Sequence, residues 1–294
     1  MAELPTPCAN PEIGMKSALL AAALLLLPFG PAIGQVFDSH VHLWHGQASL
    51  AEYEAQLKAA GVTIAGFGGM WFGGPNQAPP GEIEKTRANN DGIIALAASH
   101  PGMMPIATVH PYDGQAAIAE LERVAARGIK VLKLHPHTQK FDVNDPRVLA
   151  LVRRAGALGV IVLMDNANIL PGDSENLFNL AVKAPKTRFI FAHMGGLNFR
   201  FWNILALART AQNFFADNIY FDISGTVTLV AGSPIQNEFV WTMHNVGIDH
   251  LLLGSDFPQI SLPQTLAAFN KLGLTKEEKA KIMFGNAQRL FRLK

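Results

Sequence analysis

Cysteine is nearly absent: the 294 residues contain one, Cys8, so no internal disulfide forms and no cluster of thiolates holds a metal. Charge is scarce too, at 16% of residues, and balanced, with 24 Lys and Arg against 23 Asp and Glu for a net +1. No run of Lys and Arg makes a phosphate-binding stripe, which argues against a nucleic-acid partner. No glycine-rich phosphate loop stands between a strand and a helix, so the usual nucleotide-binding signal is missing. Apolar residues make up 49% of the chain, an ordinary globular share with no sign of disorder.

No apolar run is long enough to be a stable bilayer anchor. The run Ala18 to Leu27 follows Lys16 and precedes the small residues Ala32 and Gly34, the order of a secretory signal cleaved before Gln35. Met15, directly before Lys16, is the expected true start. Residues 1–34 are thus expected to be a signal peptide and 35–294 one mature domain, exported to the periplasm or secreted, with no membrane span after cleavage. Cleavage removes Cys8, Lys16, Glu3 and Glu12 and leaves the domain near +2. An uncleaved apolar helix on a cytosolic protein is the other reading of these residues.

From residue 35 onward, short runs rich in Val, Ile, Leu and Phe alternate with stretches of helical period, the pattern of βα units. Strands are expected at 36–42, 62–68, 104–109, 129–134, 160–165, 188–193, 219–223 and 251–255. Helices are expected near 49–60, 82–98, 114–127, 145–158, 173–184, 198–216, 236–246 and 263–271, with a closing helix at 276–291. Asp145-Pro146 and Thr275-Lys276-Glu277-Glu278 carry helix-start signals. Eight alternating units without a long linker favour a closed α/β architecture, the (β/α)8 TIM barrel, over an open doubly wound sheet.

In such a barrel the reactive groups sit where strands end at the C-terminal face. Strand one ends in His40-Val41-His42, and the two-residue period puts both imidazoles on one side. Strand six ends in His193 and strand eight leads into Asp256. Three histidines and an aspartate at one end of three strands form a set of nitrogen and oxygen donors suited to Zn2+, Mn2+ or Fe2+. Burying them together without a cation is costly. Lys133 and His135 share one parity on strand four and are expected to face the interior, with Lys133 paired to Asp165 or Asp256 and His135 near substrate. Asp38 shares the parity of His40 and is a candidate to hold an imidazole tautomer. Trp44, Trp71, Met70, Phe72 and Phe257 follow strand ends and are candidates for the substrate pocket, and the glycine-rich 66–75 is a candidate lid.

The segments Phe37-Asp38-Ser39-His40-Val41-His42, Phe191-Ala192-His193-Met194-Gly195-Gly196 and Leu253-Gly254-Ser255-Asp256-Phe257-Pro258 resemble the amidohydrolase superfamily. The resemblance is to its amidohydrolase-related (amidohydrolase 2) branch of metal-dependent hydrolases and decarboxylases. Lys133-Leu134-His135-Pro136, Phe221-Asp222-Ile223-Ser224 and Asn286-Ala287 resemble it as well. The resemblance implies one divalent ion, Zn2+ or Mn2+ with Fe2+ as a third choice, bound by His40 and His42, with Asp256 as ligand and proton carrier and His193 as ligand or substrate-orienting residue. Strand five departs from the family: Asp165 stands where a histidine commonly completes the site. An aspartate there either ligates the metal through oxygen or merely caps a loop.

The expected activity is hydrolysis of a small ester, lactone or amide, with Asp256 taking a proton from metal-activated water. The alternative is non-oxidative decarboxylation of a small carboxylic acid, disfavoured here because a free Asp165 carboxylate repels anions and Lys133 is the one clear cation near the strand ends. A metal-free barrel that binds a ligand is the third reading. All three imply a small-molecule partner; oligomeric state has no signal in the sequence.

Overall fold

The computed structural model describes residues 35–293. The expected signal peptide and its start at Met15 lie outside the described residues. Eight parallel strands follow one another in chain order: β1 (Phe37–His42), β2 (Gly66–Met70), β3 (Met103–Thr108), β4 (Val131–Leu134), β5 (Ile161–Met164), β6 (Phe189–Phe191), β7 (Ile219–Asp222) and β8 (Leu251–Leu252). The ring closes where Ser39 and His42 donate backbone N–H bonds to Leu253 and Phe257, and Asp256 donates one to His40. The fold is therefore a (β/α)8 TIM barrel, and the open-sheet alternative is excluded.

The helices are α1 (Gln47–Ala59), α2 (Ile83–Ser99), α3 (Gln115–Ala126), α4 (Pro136–Gln139), α5 (Pro146–Ala157), α6 (Asp173–Lys183), α7 (Ile204–Ala208), α8 (Thr226–Val230), α9 (Gln236–Val246), α10 (Leu262–Asn270), α11 (Lys276–Ala280) and α12 (Asn286–Phe291). Asp145 caps α5 and Thr275 makes a capping box on α11, as their spacing implies. No helix among the described residues is long and apolar enough to cross a membrane.

Alternation divides each strand between two cores. Phe189, Phe191 and Phe221 with Leu132, Val162 and Leu251 face the helices, where Trp202 stacks on Phe191 with ring centroids 5.3 Å apart. Phe37, Met104, Ile106, Val131, Ile161, Leu163, Ile190 and Leu252 fill the interior, and Phe291 of α12 packs on Phe37 at 5.7 Å. Lys133 shares the parity of Val131 and is fully buried.

Three segments differ from expectation. In place of the helix expected at 198–216 stand a kinked run of turns over Ala192–Asn203 and the short α7, because His193, Met194, Gly195 and Gly196 all take positive φ and turn the chain before a helix can start. The closing helix is interrupted by a π turn at Lys281–Gly285. The candidate lid at 66–75 begins as β2, and Met70 and Phe72 are buried in the core, so its first half is a wall of the barrel.

Leu132→Ala removes a fully buried side chain between β4 and the helix layer and is expected to cost about 3 kcal/mol. Urea unfolding with an unchanged m-value measures it; a loss below about 1 kcal/mol would mean that this layer is not close-packed.

Candidate metal centre

His40 and His42 sit at the C-terminal end of β1, where the strand has one residue more than β2 between Asp38 and Val41. Such a bulge re-aims side chains. Gly254 lies alongside: a Cβ there would come within 2.9 Å of the His40 Cβ, so the chain just after β8 approaches β1 this closely only because the residue is glycine.

The tautomer of each imidazole follows from its partners. His40 Nδ1 faces Asp222 Oδ2 at 3.0 Å and His42 Nδ1 faces the Phe72 carbonyl at 2.7 Å. Both partners only accept, so each Nδ1 carries the proton and each Nε2 presents a lone pair. Those two Nε2 atoms lie 3.0 Å apart, and Asp256 Oδ1 is 3.5 Å from each. Burial, with the Lys133 charge adding to it and Asp222 opposing, pulls the pKa of His40 down to about 4, so it is neutral at pH 7. The Asp256 carboxyl is pulled up by burial, but the neighbouring imidazoles of His42, His40 and His193 outweigh this and hold it at about 2. Three electron-pair donors therefore converge, and Lys133 Nζ, 3.1 Å from His40 Nε2, can donate a proton to one of them only. Among the described residues, His40, His42 and Asp256 are the group whose ligand atoms all lie within 4.8 Å of one another. This donor set fits a divalent cation.

Asp165 and His193 lie outside that convergence. Asp165 Oδ1 is 3.2 Å from His193 Nε2 and 3.5 Å from His135 Nε2. His193 Nδ1 donates to the Ser224 carbonyl at 3.0 Å, so both its ring nitrogens are engaged, and its ring stacks on His40 at 5.3 Å. Burial opposes charge on His193, yet the Asp165 bond overrides it and lifts the pKa to about 9. Burial likewise opposes ionisation of Asp165, and the bond to His193 together with the His193 charge holds it well below the usual carboxylate range. His135 itself is driven down to about 3 by burial and is neutral.

Several sequence candidates are placed differently. Lys133 faces His40 rather than pairing directly with Asp165 or Asp256. Asp38 holds no imidazole: it accepts from Tyr53 Oη at 3.0 Å and the Ser255 N–H at 2.8 Å and so ties β1 to β8. Asp222 holds the tautomer, a role the sequence did not reveal although Asp222 ends β7 as the other site residues end their strands. A cavity of about 600 Å³ opens over His135, Asp165, His193 and Asp256. Trp44 and Trp71 are not in its wall: Trp44 packs on Gly73 and Gly74, and Trp71 on Gly46 and Gly92. His137 is half-buried and bonds Asp173 at 2.9 Å.

A parallel barrel with a His-x-His pair on its first strand and an aspartate after its eighth defines a metal-dependent enzyme class. The chain belongs to the amidohydrolase family, whose model, described as Amidohydrolase, matches residues 37–293. It is 27% identical over 127 residues to a γ-resorcylate decarboxylase from Polaromonas, a match covering 38% of this chain and 36% of the relative, so the chain spans about a third of the length of the curated relative it matches. Solved structures with the same fold include 5-carboxyvanillate decarboxylase from Sphingomonas paucimobilis, with TM-score 0.66, 15% identity and coverage of 88% of this chain and 99% of that one. Another is a dihydroxybenzoic acid decarboxylase from Polaromonas with bound manganese and 2-nitroresorcinol, with TM-score 0.63, 17% identity and coverage of 89% and 98%.

The His193 pKa is raised on folding, so its pairing with Asp165 stabilises the metal-free chain fully below the ordinary value of 6.5, and this contribution is lost as pH rises through about 9. Between those limits, thermal unfolding of metal-free protein is expected to weaken more steeply in the native chain than in Asp165→Asn. Identical slopes would show that the pair does not couple to folding.

Proposed function

We propose that this protein is a metal-dependent carboxy-lyase that removes CO2 from a small aromatic acid with a hydroxyl beside its carboxylate. The observation that carries this reading is the pairing of Asp165 with His193 and His135. The sequence disfavoured decarboxylation because Asp165 stood as a free negative charge. With that charge balanced by His193, which lines the cavity, the cavity is hospitable to a carboxylate. The decarboxylases among the structural and sequence relatives support the same choice.

His40, His42 and Asp256 would hold the divalent ion, Mn2+ or Zn2+, and when bound it supplies Lewis acidity that draws electron density from substrate oxygen. Asp256, ionised at neutral pH, takes the proton of the substrate hydroxyl and passes it to the ring carbon that bears the carboxylate. The bond from that carbon to the carboxylate then breaks, CO2 leaves, and the phenolate regains a proton from water, with no change in oxidation state. His193, in the cavity wall and fixed between Ser224 and Asp165, orients the carboxylate.

Hydrolysis remains the second reading, favoured by the same ionised Asp256, which is also the state needed to take a proton from water. A binding role alone leaves the convergence of three donors without a purpose. Assays of 2-hydroxybenzoates for CO2 and of aryl esters and lactones for acid release separate the two chemistries. Release of CO2 is expected, and Asp256→Asn is expected to lower kcat by about 10³-fold. Ester or lactone cleavage without CO2 would establish the hydrolase instead, and an Asp256→Asn variant at full rate would overturn both mechanisms.

A further inference from the structure

The connections after β5, β6 and β7 each leave one large aliphatic side chain in the cavity wall and open to solvent: Ile169 is 69% exposed, Leu197 59% and Leu229 62%. Single exposed apolar residues are unremarkable on a protein surface, but three converging on one mouth form a patch. The connections that carry Ile169 and Leu197 are fixed against each other. A Cβ on Gly196 would meet the Ala167 carbonyl at 2.3 Å, Gly195 N–H donates to the Asn166 carbonyl at 3.0 Å, and Trp202 Nε1 donates to Asn166 Oδ1 at 3.0 Å. The aliphatic collar is thus held in place without a ligand, which lowers the ordering cost of using it.

Beside it Asn168 and Asn198 supply uncharged amides, the charged Asp165, His193 and Asp256 lie deeper at the strand ends, and no Lys or Arg lines the cavity among the described residues. A second negative charge on a ligand, held out toward the mouth, would find no cation there and would lose its hydration against aliphatic carbon.

We infer that the substrate is a monoanionic acid whose one carboxylate enters toward His193 and whose uncharged, apolar substituent lies against Ile169, Leu197 and Leu229. The identity of the reacting end rests on the carboxy-lyase reading; the selectivity of the mouth is tested by binding alone.

Benzoate, 4-butylbenzoate and terephthalate lack the ortho hydroxyl and serve as unreactive probes. Their affinities for Mn2+-loaded protein are measured by calorimetry, with the molar mass of the same samples. A buried methylene is worth about fourfold in affinity, so 4-butylbenzoate is expected to bind at least about tenfold more tightly than benzoate even if its chain is only partly covered. Terephthalate is expected to bind more weakly than benzoate. In the variant Ile169→Ser/Leu197→Ser/Leu229→Ser the butyl advantage is expected to fall below about threefold, given the loss of that apolar contact, with benzoate affinity unchanged. No butyl advantage, an advantage that survives in the triple variant, terephthalate binding as tightly as benzoate, or no binding by any probe would overturn the inference. So would a triple variant that changes only the molar mass, since the collar would then be an interface between copies of the chain. A butyl advantage in a protein that releases no CO2 from any hydroxybenzoate would overturn the carboxy-lyase reading and leave the inference about the mouth standing.

Discussion

Two hydrogen bonds on the far sides of two imidazoles determine what the centre of this barrel can do. Asp222 and the Phe72 carbonyl each take the Nδ1 proton of a histidine, and so turn two Nε2 lone pairs toward each other and toward Asp256. Electron pairs gathered in this way in a buried site repel unless a cation lies among them. Exchange either acceptor for a donor and the histidine turns its proton inward. Asp222 stays ionised although burial opposes it, because its hydrogen bonds from His40 and Ser224 and the His193 charge hold its carboxyl well below the usual range. The donor set is therefore built from outside the set itself.

The rest of the barrel serves that geometry. Asp38 bonds Tyr53 and the Ser255 N–H, locking the closing strand against the first, and Gly254 lets the two backbones come close enough for Asp256 to reach both histidines. Asp256, His193 and Met194 all have positive φ, a conformation costly for residues other than glycine and held only where surrounding contacts impose it. A second layer of charge lies beside the first: Asp165 engages His193 and His135, so the strand-five carboxylate is spent on neighbouring imidazoles. That partition balances the Asp165 charge within the cavity, and Ile169, Leu197 and Leu229 stand exposed at its mouth.

Much of this was legible in the sequence, for identifiable reasons. Alternation with period two placed His40 and His42 on one side and Lys133 in the interior, and eight βα units without long linkers implied the barrel. The role of Asp222 was not legible, because its contact with His40 spans 182 residues and exists only once the sheet has closed. The bulge in β1 leaves no mark in the residue pattern, and it changes where His40 points. Trp44 and Trp71 follow strand ends, yet position along a strand does not settle side-chain direction in the turn beyond it, and both pack on glycines away from the cavity. The expected helix at 198–216 failed because helical periodicity carries no information about the left-handed turn at His193 to Gly196 that precedes it.

The central claim, that His40, His42 and Asp256 bind a divalent ion without Asp165, is tested most directly by titrating Mn2+ into metal-stripped protein and following the free ion by electron paramagnetic resonance. One equivalent is expected to bind in the native chain and in Asp165→Asn, and none in His40→Ala/His42→Ala at the same concentrations. Loss of binding in Asp165→Asn would make Asp165 a ligand, and retention in the double histidine variant would place the ion elsewhere; either result contradicts the account.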